Sequence, residues 1–306
     1  MKKPNLFIVG APKCGTTSMY NYLKQHPEVF MSSLKEPHFF GTDLVSSNFI
    51  REKEKYLSLF SNATDEKRIG EGSVWMLYSK VAAAEIKEFS PEARIIMILR
   101  NPVDMIFSLH GEHYFWGDEN IRDFKKALMV EEKRRQGLKI PVQSKVKFGL
   151  LYREIAKYDH QVERYLRVFG QDNVKVIIFD EFKHHTERIF SDTCQFLEID
   201  SRFKPEFKIV NARRVVHSRT LMHFVQHPPN FSRRLGKAIP SSIRHRMLSF
   251  IEKKGYEVKP APPMDEKLRR QLQQEFLPSV ERLSILLKRD LTYWCGTTRV
   301  TGTTFN

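Results

Sequence analysis

Short apolar runs alternate with amphipathic stretches along the first two thirds of the chain. Residues 6–9, 29–31, 68–71, 93–99 and 174–179 read as strands. The runs ARIIMIL at 93–99 and VKVIIF at 174–179 are almost continuously apolar, as a strand covered on both faces requires. Between them apolar residues recur at helical spacing: Met19, Tyr20 and Leu23 in 16–25, Tyr56, Leu57 and Phe60 in 51–60, and Leu151, Ile155, Tyr158, Val162, Tyr165 and Phe169 in 150–169. Further helices are predicted over 77–89, 103–116, 121–136, 186–197 and 264–287. This alternation predicts an α/β fold with a central parallel sheet flanked by helices.

No repeat, low-complexity tract or linker divides the chain, so one domain is expected over residues 1–306. The apolar run before Gly10 is about four residues, too short for a signal peptide or a membrane span, and no later run is long enough either. Cys14, Cys194 and Cys295 are far apart and odd in number, which suggests neither a disulfide framework nor a zinc pattern. The expectation is a soluble, cytoplasmic protein that holds no metal.

Charge narrows the choice of ligand. The net charge is +15, and residues 201–260 hold 14 Lys and Arg against three acids, a local excess of +11. Such a stretch attracts anions: nucleic acid, an acidic membrane surface, an acidic glycan or a polyphosphorylated cofactor.

The stretch GAPKCGTTS, residues 10–18, links the first strand to the first helix and almost spells a phosphate-binding P-loop. Gly10 and Gly15 have the right spacing, but Thr16 stands where the lysine belongs, and the lysine, Lys13, lies inside the loop. A strand, a glycine loop and a helix N-terminus still offer N–H groups and a positive dipole end to an anion, and the hydroxyls of Thr16, Thr17 and Ser18 add donors. ATP-hydrolysing P-loop proteins place an acid after a later apolar strand to hold magnesium. Here that strand ends in Arg100, followed by Asn101 and Pro102, and Ser108 comes eight residues later. A cation in that place repels a metal and invites a second phosphate. Two phosphate sites without a metal ligand describe a nucleotide phosphorylated at both ends of its ribose.

The combination PKCGTTS at 12–18, KEPHFF at 35–40 and ILRNPVDMIFS at 98–108 resembles the sulfotransferases that use 3′-phosphoadenosine-5′-phosphosulfate (PAPS). It is closest to the bacterial members and to the carbohydrate branch that sulfates heparan chains. The resemblance extends in order over most of the chain and implies a P-loop-NTPase-like three-layer fold. It assigns the 5′ side of the cofactor to Cys14, Gly15, Thr16, Thr17 and Ser18, and the 3′-phosphate to Arg100 and Ser108. Lys13 matches the lysine that both binds the cofactor and neutralises the leaving oxygen, and Glu36 matches the general base, with His38 as the alternative base. A late basic segment, NARRVVHSR at 211–219, matches the loop that closes over the cofactor, with Arg213, Arg214 and Arg219 as candidates. The implied acceptor is a hydroxyl, on a glycan or polysaccharide, with no nucleic-acid partner.

Two departures bear on the acceptor. Where heparan enzymes carry a lysine after the glutamate of a second strand, this chain reads Glu71-Gly72-Ser73, and where they carry an acid after HFF it has Gly41. Two other readings remain at this level: a P-loop kinase or NTPase, and a polyanion-binding protein using the 201–260 segment.

Overall fold

The computed structural model describes residues 2–208, 214–216, 256–258 and 263–296. All five predicted strands form, as β1 (Leu6–Gly10), β2 (Val29–Met31), β3 (Arg68–Gly72), β4 (Arg94–Leu99) and β5 (Val174–Ile178). They pair in parallel in the order β2-β3-β1-β4-β5. Every residue of β1 and β3 is buried, as is all of β4 but Arg94. That two-sided burial is why β1 and β4 read as apolar runs, whereas β3, with the sequence RIGEG, buries polar side chains as well.

Layering follows from strand order. The crossover from β1 through α1 (Thr16–Leu23) to β2 runs one way across the sheet. Those from β2 through α2 (Lys53–Ser58) to β3, and from β3 through α3 (Ala82–Phe89) to β4, run the other. Parallel crossovers are right-handed, so α1 lies on the face opposite α2 and α3. Ring contacts agree: Tyr56 of α2 meets Phe89 of α3, while Tyr22 of α1 meets Phe190 of α10 (Thr186–Phe196). The β4–β5 connection carries α4 (Pro102–Trp116), α5 (Phe124–Met129), α6 (Glu131–Arg135), α7 (Tyr152–Ile155) and α8 (Tyr158–Phe169), and α8 packs on α3. After β5 come α9 (Phe179–His184) and α10, then a two-stranded antiparallel ribbon of β6 (Arg214–Val216) and β7 (Tyr256–Val258). The last helix, α11 (Glu266–Leu286), is tied to α8 where Asp159 accepts from Ser279 and Arg282.

Three predicted helices differ from the observed ones. The helix expected over 77–89 begins only at Ala82, because the Ser79 hydroxyl accepts from the Val81 and Ala82 N–H groups and caps it there. The 150–169 helix breaks into α7 and α8, since the Gln161 side chain donates to the carbonyls of Glu154 and Ile155 and closes off α7. The 121–136 helix divides into α5 and α6 at Val130. The first two differences come from side-chain bonds that periodicity does not carry.

Glycine matters most where β1 ends. A Cβ on Gly10 would lie 2.7 Å from Leu77 Cβ and 2.9 Å from the Val74 carbonyl oxygen, whereas Gly117, with φ +83, has open space. Gly10→Ala is therefore expected to lower the unfolding free energy by about 2–3 kcal/mol, and Gly117→Ala by about 1 kcal/mol, in urea titrations of the two variants.

Candidate functional site

The carboxyl ends of β1, β3 and β4 open on the same side of the sheet, because the strands are parallel. Beyond them lies a cleft of about 270 Å³, lined by Lys13, Gly15, Thr16 and Thr17 of the first loop, by Glu36, by Trp75 after β3, and by Glu112, His113, Trp116 and Asp118 from α4 and its end. Of the sequence-predicted residues, this lining brings together Lys13, Gly15, Thr16, Thr17 and Glu36. Cys14, Ser18, His38, Arg100 and Ser108 stand outside it.

The loop is arranged for an anion. Gly15 takes φ +86 as the N-cap of α1, and a Cβ there would press on the Phe179 ring at 3.1 Å. No side chain caps α1, so the leading N–H groups and the Thr16 and Thr17 hydroxyls are left for a ligand. The Cys14 side chain turns away from the cleft. Burial pushes its thiol up to about 12, and it contacts the Pro12 carbonyl at 3.3 Å, so only its backbone is left for an anion. Arg100, just past β4, lies over the Phe179 ring and donates to the Lys13 carbonyl at 3.4 Å. Ser108 is half-buried on α4. Arg214 opens β6, and Arg213 and Arg219 lie outside the described residues.

Lys13, Glu36 and His38 all adopt left-handed backbone, with φ of 61°, 63° and 51°. Lys13 Nζ donates to Glu112 Oε1 at 2.9 Å. Glu36 pairs with Lys35 through Oε1, and His38 Nε2 lies 3.5 Å from Glu36 Oε2. Burial opposes ionisation of Glu36, but the His38 hydrogen bond and the Lys35 charge outweigh it and hold the carboxyl at about 2. Burial lowers the affinity of His38 for a proton against the pull of Glu36, and its Nδ1 is buried without a hydrogen-bond partner. The His38 amide donates to Ser73 Oγ at 3.0 Å, and Ser73 Oγ donates to Glu71 Oε2 at 2.6 Å. Glu71 also accepts from Tyr56 at 2.7 Å, and its complete burial pushes it up to about 7.

Sequence reasoning missed Glu112, Trp75, His113, Trp116 and Asp118 as cleft residues. Glu112 carried a usable signal, since it lies one helical turn beyond Ser108 and so shares its face of α4. Arg51 carried none. Its guanidinium holds the carbonyls of His38, Phe39, Gly41 and Leu44, and so clamps the loop that carries Glu36. Among the described residues no group of His, Cys, Asp or Glu side chains is placed to hold a metal ion, and no helix is long and apolar enough to cross a membrane.

The parallel sheet, the uncapped helix behind a glycine loop and the lysine in that loop define a P-loop-like α/β protein. The chain belongs to the sulfotransferase domain family, whose model matches residues 3–284. A sulfotransferase from Alicyclobacillus acidocaldarius superposes with a TM-score of 0.73 at 29% identity, over 96% of this chain and 99% of that one. Human carbohydrate sulfotransferase 15 is 32% identical over 148 residues, 34% of this chain and 26% of its own length. The bifunctional heparan sulfate N-deacetylase/N-sulfotransferase 1 of Caenorhabditis briggsae is 25% identical over 214 residues, 67% of this chain and 23% of its own. The chain thus spans about a quarter of the length of these curated relatives. Neither the NTPase nor the polyanion-binding reading is favoured by these likenesses.

The buried Glu71 makes a pH-dependent contribution to stability. Its pKa is raised from 4.5 to about 7 in the folded protein. The folded state therefore keeps a proton that the unfolded chain releases over that window, and stability falls as pH rises across it, by up to roughly 3 kcal/mol. Glu71→Gln is expected to remove that component, so the stability difference between variant and wild type shifts in the variant's favour from pH 4.5 to pH 7, read from urea titrations across the range.

Proposed function

We propose that the protein transfers the sulfuryl group of PAPS to a hydroxyl of a carbohydrate by in-line displacement. One observation carries this reading: Lys13 and Glu36 line the same cleft in front of the uncapped N-terminus of α1. The donor set fits the cofactor. The α1 N–H groups with Thr16 and Thr17 suit its 5′ side; family likeness adds Ser18 there, Arg100 and Ser108 for its 3′-phosphate, and Arg213, Arg214 and Arg219 for a covering role. When bound, PAPS supplies a sulfuryl group on a phosphate leaving group.

The chain's own residues then have separable tasks. The Lys13 ammonium neutralises charge on the oxygen from which sulfur departs. Glu36 accepts the proton of the acceptor hydroxyl. A carboxylate held at about 2 is a weak base, and the negative charge of a phosphosulfate nearby raises its proton affinity. His38 supports Glu36 better than it replaces it, since Nε2 faces the carboxylate and Nδ1 is buried. Positioning and charge neutralisation supply most of the rate enhancement for a loose transition state.

The relatives' names favour a carbohydrate acceptor, and the +11 excess of residues 201–260 favours an acidic polysaccharide. The unpaired Cys14, Cys194 and Cys295 suit a reducing, cytoplasmic setting.

Adenosine 3′,5′-bisphosphate is expected to raise the melting temperature and ATP with magnesium to leave it nearly unchanged, because only a ligand of the folded state stabilises it. Equal stabilisation by both sinks the cofactor assignment. With labelled PAPS and heparosan, chondroitin or chitin oligosaccharides as acceptors, Lys13→Ala and Glu36→Gln should each lower turnover about a hundredfold or more. Undiminished turnover in either variant removes that residue's role.

A further inference from the structure

We propose that Glu71 positions the general base: its buried carboxylate, acting through the Ser73 hydroxyl, holds the His38 amide and with it the left-handed turn that carries Glu36. The proposal rests on the reading of Glu36 as the base.

The hydrogen bonds run in one direction. Glu71 uses one oxygen for the Tyr56 hydroxyl at 2.7 Å and the other for the Ser73 hydroxyl at 2.6 Å. Having given its only proton to Glu71, Ser73 Oγ has lone pairs left, and one accepts the His38 N–H at 3.0 Å. Beside it the Gly72 carbonyl accepts the Glu36 N–H at 3.0 Å. Three consecutive residues at the end of β3 thus grip residues 36–38, and both φ-positive positions of that turn are held. An ionised carboxylate can only accept, so it compels the Ser73 proton to point inward. An amide at residue 71 offers a donor as well and leaves that proton free to turn.

The groups facing Glu71 are Tyr56 from α2, Tyr20 from α1, Tyr165 from α8 and Glu36 from the loop, with Lys35 and His38 against Glu36. Burial, then the Glu36 charge, push Glu71 up to about 7. As pH rises through that value Glu71 becomes an obligate acceptor and tightens the turn. Its charge also raises the proton affinity of Glu36, which makes Glu36 a stronger base. Both effects increase kcat in the same direction.

The test uses the full chain and three variants, Glu71→Gln, Ser73→Ala and Glu36→Gln. Amide hydrogen exchange over residues 34–44 reads the grip without using catalysis, and kcat against pH is read with labelled PAPS and the oligosaccharides named above. Glu71→Gln and Ser73→Ala are expected to exchange about tenfold faster over that segment and no faster in α1. Their kcat should fall about tenfold to a hundredfold while the Kd for adenosine 3′,5′-bisphosphate stays within about twofold, and Glu71→Gln should lose the wild-type rise in kcat through pH 7. Wild-type exchange in both variants overturns the proposal; with Glu36→Gln inactive, that result leaves the base reading standing. Full turnover by Glu36→Gln overturns both. Should Glu71→Gln fail to fold, Ser73→Ala decides by the same exchange and kcat criteria.

Discussion

The site depends on backbone that the chain adopts reluctantly. Each of Lys13, Glu36 and His38 occupies the left-handed region, which costs an L-residue roughly 1–2 kcal/mol. Such conformations persist only where neighbours over-determine them. Here the neighbours are identifiable: Arg100 holds the Lys13 carbonyl, Gly72 and Ser73 hold the amides of Glu36 and His38, and Arg51 holds the carbonyls that follow. All but Arg51 sit at or just past the carboxyl ends of β3 and β4, so the parallel sheet is the frame that keeps the strained residues in place. The strain offers a benefit in return, because a side chain on an over-determined turn loses little freedom when the ligand arrives.

Two carboxyl groups in this frame are driven to opposite ends of the acid scale. Glu36 has a lysine and a histidine against it and sits at about 2, whereas Glu71 has only hydroxyls and lies near 7. The Glu36 side chain is 36% exposed and has charged partners, whereas Glu71 is wholly buried among hydroxyls, so exposure and partners together separate them. A carboxylate that stays charged suits a group that must accept a proton beside an anionic cofactor. One near neutrality suits a group whose hydrogen-bonding character changes with pH. Environment therefore separates two chemically identical side chains into different titration ranges.

The sheet was legible mainly through apolar runs such as those of β1, β4 and β5, while β3, with the sequence RIGEG, carries only one large apolar side chain. Helix ends were less legible. Ser79 and Gln161 end or delay helices by bonds whose outcome depends on tertiary geometry rather than on spacing. In the site, GAPKCGTTS announced an anion loop through its glycines and hydroxyls, and Arg100 through its place after an apolar strand. Glu36 and His38 were reached only through family likeness, since a Glu-Pro-His sequence has no spacing signature of its own. Arg51, Trp75 and the Glu71–Ser73 link stayed hidden because each contributes across a sequence gap of at least seven residues to a loop with no periodicity. The 211–219 segment lies largely beyond the described residues, so the choice among its arginines rests on likeness alone.

The Lys13–Glu112 pair explains how a lysine can be both ordered and available. At 22% and 38% side-chain exposure the two groups are partly hydrated, and an ion pair of that kind is worth no more than about 1 kcal/mol. A buried pair would be different. The Glu119–Arg134 pair, wholly buried and bidentate, is committed to structure because separating it would strand a charge in the core. The weak pair at the cleft keeps the Lys13 ammonium from wandering along the surface, yet an anion with more than one charge outbids Glu112 for it at small cost. The same α/β frame thus carries a loosely held, partly hydrated ion pair at the cleft and a wholly buried one in its interior.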